Sequence, residues 1–177
     1  MSNINSMKKI LSQLPVFHET AHAEQASALE MLAACKETNN PSQAFGYFMH
    51  AKDEYNHAKY FFKMLSNRGK KSSVEIARRF RFVAPSLIKK GYISNKGFLI
   101  ETMTLKDFIA FVYTNELLAK SSFEKILDLV GPNTEEGLKI SNIMSDELRH
   151  HGMAKKYFLN HYPALQPWQL MIYRTKE

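Results

Sequence analysis

Cysteine is almost absent from this chain, since Cys35 is the single one among 177 residues. With one thiol there is no internal disulfide framework and no Cys-based zinc or iron–sulfur site. Glycine and proline are scarce too, at 7 and 6 residues, which excludes collagen-like, low-complexity and disordered chains. No apolar run approaches the roughly 18–20 residues that span a bilayer. The opening stretch MSNINSMKKILSQLPVF has neither an apolar core long enough for a secretory signal nor a small-residue cleavage site after it. The expected compartment is therefore a reducing cytoplasm. Alternating apolar and polar residues, the mark of a half-buried strand, are missing as well. What remains is 45% hydrophobic, enough at this length for a single domain over residues 1–177 with a sizeable core.

Acidic residues are the minority charge, 17 against 24 Lys+Arg, for a net charge of +7. The excess is local. Residues 68–96 hold nine basic side chains (Arg68, Lys70, Lys71, Arg78, Arg79, Arg81, Lys89, Lys90, Lys96) and one acid, Glu75, so this stretch carries +8 and the rest −1.

Helical spacing predicts four long helices at about 15–37, 41–67, 104–130 and 134–162. Pro15 suits a first turn. Asn39-Asn40-Pro41, Arg68-Gly69 and Gly131-Pro132-Asn133 supply the stops. Between the second and third helices lies a crossover of about 68–103, with a short helix around Val74–Phe82, a break at Pro85 and turns at Gly91 and Gly97. The expected fold is all-α, two antiparallel hairpins joined by a long basic connection, which describes a four-helix bundle with one long crossover.

The informative residues are acids on apolar stripes. Glu24 lies among Phe17, Ala21, Ala28, Met31 and Cys35, and Glu54 among Tyr47, Ala51, Ala58, Phe61 and Leu65. Glu116 falls with Ile109, Val112, Phe123 and Val130, and Glu147 with Ile140, Met144, Ala154 and Phe158. Buried carboxylates need a compensating cation. Two have a histidine three residues on, His57 after Glu54 and His150 after Glu147, on the same helix face. Glu24 and Glu54 stand 30 residues apart around one turn, and Glu116 and Glu147 stand 31 apart around another, so each pair is level in its hairpin. Four glutamates and two histidines make the ligand set of di-iron and di-manganese carboxylate bundles, and this donor chemistry suits iron or manganese. Asp53 and Asp146 precede the two ligand glutamates and are placed to support the histidine of the opposite hairpin. Tyr113 lies one turn before Glu116, where it can line the cavity or bond a ligand.

On these residues, over about 15–67 and 104–162, the chain resembles the ferritin-like di-iron superfamily, whose signature is Glu…Glu-x-x-His repeated twice. The resemblance implies Glu24, Glu54, His57, Glu116, Glu147 and His150 as ligands of two iron ions, with manganese or a mixed pair as variants. Shorter stretches, Phe62-Lys63-Met64-Leu65-Ser66-Asn67-Arg68-Gly69 and Ser122-Phe123-Glu124, resemble the tRNA hydroxylases that act on methylthio-isopentenyl-adenosine. Asp53 and Asp146 depart from that pattern. The implied activity is an O2-dependent monooxygenase acting on an organic or nucleic-acid-linked substrate such as tRNA. With no rubredoxin-like Cys-x-x-Cys in the chain, an external reductase must supply electrons. The alternatives are a ferritin- or rubrerythrin-like iron oxidase, and a non-catalytic bundle that binds nucleic acid through residues 68–96.

Other signals compete. His18-Glu19-Thr20-Ala21-His22 matches the zinc-protease helix H-E-x-x-H, but no sheet or third ligand accompanies it, and both histidines read as exposed or interfacial. His50 and His151 read as core or rim histidines beside the ligands, although His50 shares the face of Glu54. Arg78, Arg79 and Arg81 interleave with Phe80 and Phe82, as nucleic-acid surfaces often do. The basic segment ranks as a solvated loop first, an anion- or nucleic-acid-binding surface second, and a membrane contact last.

Overall fold

In the computed structural model, residues 2–68 and 84–162 are described. Among them every regular element is helical: α1 Ser2–Glu37, α2 Pro41–Asn67, α3 Ala84–Lys89, α4 Leu99–Thr102, α5 Leu105–Val130 and α6 Glu135–His161. No helix among these residues is long and apolar enough to cross a membrane. The four long helices match the expected ones with one correction. α1 begins at Ser2 and runs through Pro15 rather than starting there. Leucine, lysine, methionine and glutamine before Pro15 favour helix, and the proline removes a single backbone donor from the ladder. The segment Val74–Phe82, together with Lys70, Lys71, Arg78, Arg79 and Arg81, lies outside the described residues.

Polar side chains set where the helices start. The Asn40 side-chain oxygen accepts from the amides of Ser42 (3.0 Å) and Gln43 (3.1 Å), with Pro41 in the first turn, where its missing N–H costs nothing. Thr104 caps α5 by accepting from the Asp107 amide at 3.1 Å, and Thr134 caps α6 by accepting from the Gly137 amide at 2.9 Å. Pro85 also departs from expectation. It sits in the first turn of α3 instead of breaking the chain, as a residue with fixed φ can. Gly91, at φ 81°, then ends α3 in a left-handed turn.

Contacts divide the chain into two compact units, Met1–Asn39 with Tyr47–Phe98, and Asn40–Gly46 with Leu99–Glu177. In the first unit α1 and α2 run antiparallel, pairing Phe17 with Phe61 (ring centroids 6.4 Å apart) and Glu24 with His57. Phe17, Ala21, Ala28, Met31, Tyr47, Ala51, Ala58, Phe61 and Leu65 are buried as the stripes require, while Cys35 is half-buried. The crossover residues 84–98 pack onto α1: Leu87 and Ile93 join Ala26 and Leu29, with Ile88, Tyr92 and Phe98 around them. In the second unit α5 and α6 run antiparallel, pairing Tyr113 with His151 and Glu116 with His150. Ile109, Val112, Phe123, Ile140, Ala154 and Phe158 are buried there, and Val130 and Met144 half-buried.

The opening turns of α2 belong to the second unit, and Gly46 marks the contact. A Cβ at this position would run into the Tyr157 hydroxyl. In an open helix Gly→Ala stabilises by roughly 1 kcal/mol. At Gly46 the sign should reverse, with Gly46→Ala costing about 1–3 kcal/mol by overpacking. Removing the hydroxyl in Gly46→Ala/Tyr157→Phe should return part of the loss in urea unfolding. A single variant as stable as the parent, or a double variant no better than the single, would contradict this packing.

Candidate metal centre

Each unit carries one Glu, Glu, His triad. Glu24 comes from the middle of α1, and Glu54 and His57 lie one turn apart on α2. Glu116 comes from α5, and Glu147 and His150 lie one turn apart on α6. All six side chains are buried, none more than 6% exposed. The reason is positional, because each stands on the stripe its helix turns inward and must follow that stripe into the core.

In the first unit the ligand atoms of Glu24, Glu54 and His57 lie within 4.8 Å of one another. His57 Nδ1 is 3.3 Å from Glu24 Oε2. Burial holds the Glu24 carboxyl well above the usual carboxylate range, and the neighbouring Glu54 charge pushes it further, while the hydrogen bond from His57 works the other way. In the second unit His150 Nδ1 is 3.5 Å from Glu116 Oε2 and 4.0 Å from Glu147 Oε2. Here again one imidazole stands between two enclosed carboxylates, one helix supplying the Glu-x-x-His pair and its neighbour the other glutamate.

The residues around the triads are less uniform. His50 is buried and its Nε2 lies 3.1 Å from Glu54 Oε1. Sequence spacing had placed it on the right face, and the structure adds the contact. Tyr113 stacks against His151 at 4.1 Å between centroids, and His151 Nδ1–H donates to the Tyr113 carbonyl at 3.1 Å. Asp146 is half-buried and takes Arg149 as an ion-pair partner, and Asp53 is half-buried. Arg78, Arg79 and Arg81 lie outside the described residues.

The H-E-x-x-H stretch is resolved differently from expectation. His18 is exposed, but His22 is buried at 3% exposure. Its ring meets Phe62 and Tyr92, and its Nε2 accepts from Lys90 Nζ at 2.7 Å. Burial, then the Lys90 charge and His18, lower the His22 pKa to about 4. A neutral imidazole whose Nε2 already faces an ammonium is a poor zinc ligand.

Comparison of the chain with family models, with characterised proteins and with solved structures finds no match in any of the three. The site therefore rests on its own chemistry. Buried carboxylates set against one another and against imidazoles could hold a metal ion, since a positive charge there relieves both desolvation and like-charge repulsion.

That electrostatic arrangement is testable in metal-free protein. A carboxyl that holds its proton more tightly when folded contributes stability in full below its unfolded value near 4.5. The contribution is lost as the pH rises through the folded value. Glu24→Gln cannot ionise yet still accepts a hydrogen bond from His57. In the presence of chelator it should unfold at a higher temperature than the parent at mildly alkaline pH, the gap closing as the pH falls toward 4.5. A variant less stable at every pH would contradict the assignment of Glu24 as a strained acid.

Proposed function

We propose that this chain is an oxidoreductase with two metal ions, built as a ferritin-like four-helix bundle and acting with O2. The observation that carries the proposal is the repeated buried triad, one per unit, in which two glutamates and a histidine enclose a point that needs positive charge. Glu24, Glu54 and His57 would serve one set of coordination positions, and Glu116, Glu147 and His150 the other. Iron is the preferred metal for this oxygen-rich, imidazole-containing set, with manganese or a mixed pair as variants.

When bound, such a pair supplies one-electron redox chemistry and activates O2 for oxidation of a nearby organic substrate. The chain's own part is to hold the carboxylates in register, keep water away with the surrounding aromatic and aliphatic side chains, and orient the imidazoles. Electrons come from a separate reductase, because the single cysteine leaves the chain no iron–sulfur or rubredoxin-like relay of its own. The substrate class proposed is an organic group on an anionic carrier such as tRNA, drawn in by the basic residues of the crossover.

Protein produced with ample iron should hold close to two metal ions per chain and, once reduced, should consume O2. Glu54→Ala and Glu147→Ala should each lower metal content substantially while keeping the helical circular dichroism spectrum. Retention of full metal content in both variants would overturn the proposal. So would a metal-loaded, reduced protein inert to O2, as regards its redox part.

A further inference from the structure

The two Glu-x-x-His segments match at every proposed ligand and differ one turn earlier. Four residues before Glu54 stands His50, whereas four before Glu147 stands Ile143. Both are buried, but Ile143 has nothing to offer a metal. His50 is 1% exposed, more enclosed than either Glu24 at 6% or His57 at 4%.

Distance is the second observation. Two donor atoms bound at right angles to one ion, each about 2.1 Å from it, lie about 3.0 Å apart. His50 Nε2 and Glu54 Oε1 are 3.1 Å apart. The pairs assigned as ligands are looser, 3.3 Å for His57 with Glu24 and 3.5 Å for His150 with Glu116. His50 thus meets the geometric requirement at least as well as the histidines of the repeated motif.

Resting on the two-metal reading above, we propose that His50 is a seventh ligand. Glu54 is then flanked by imidazoles one turn before and one turn after it. The first unit contributes two nitrogens and two carboxylates, the second one nitrogen and two carboxylates. This makes the two ions chemically unequal, the nitrogen-richer position favouring later first-row metals. The competing role for His50 is outside the coordination shell, donating Nε2–H to Glu54 and merely orienting it.

Metal affinity alone does not separate the two roles, because losing an orienting partner also weakens binding about 10–100-fold. Counting bound imidazoles does. In protein loaded with cobalt(II), each coordinated histidine gives one far-shifted, solvent-exchangeable N–H proton resonance. The parent should show three and His50→Gln two, since glutamine preserves a donor to Glu54 but removes the ring. Two resonances in the parent would overturn the proposal, as would three in a fully loaded variant. Should His50→Gln fail to fold or load, the parent's count decides alone. A parent that binds no cobalt would overturn the two-metal reading and this one with it, whereas a loaded parent with two resonances would remove only His50.

Discussion

The structure turns on the burial of glutamates beside one another. An ionised carboxylate in an apolar interior is among the costliest groups to enclose, and a second one nearby compounds the cost. Glu24 and Glu54 are held in that relation, and the proton affinity of Glu24 rises in response. In each unit the only relief within the triad is an imidazole, His57 or His150, approaching one carboxylate. Helix caps and short turns make this possible by fixing register. Asn40 starts α2, and Thr134 starts α6 across a turn closed by Gly131, so that mid-helix positions meet at the same height.

Much of this was legible beforehand, because it depends on rules local to one helix. A stripe of apolar residues at helical spacing predicts what turns inward, and an acid within that stripe is carried in with it. The helix bounds near 104 and 134 follow from spacing, whereas the caps made by Asn40, Thr104 and Thr134 are contacts that the structure adds. Equal spacing from a turn predicts which side chains stand level. Burial alone does not identify the triads, since Glu30 is buried as well. Their pairing with Glu-x-x-His at matched heights does.

What escaped the sequence depends on contacts between segments distant along it. His22 reads as exposed or interfacial from its place near the start of its expected helix, yet Phe62 of α2 together with Lys90 and Tyr92 of the crossover encloses it. Pro15 marks a plausible start, yet the residues before it are good enough helix formers to continue the helix. The +8 of residues 68–96 reads as a solvated loop first and an anion-binding surface second. Among its described members, Arg68 stacks over Phe17 at 4.7 Å and Lys90 donates to His22, so two of these charges serve packing. Leu87 and Ile93, the apolar side of the same segment, are buried against α1. The basic excess is therefore less uniform in role than its count suggests.

The central claim, that two triads of glutamate and histidine hold a pair of metal ions, is tested most directly by anomalous X-ray diffraction at the iron edge from crystals of iron-loaded protein. The account predicts two anomalous peaks per chain, within bonding distance of Glu24, Glu54, His57, Glu116, Glu147 and His150. A map with no peak at these side chains, or with its only peak at His18 and His22, would contradict it.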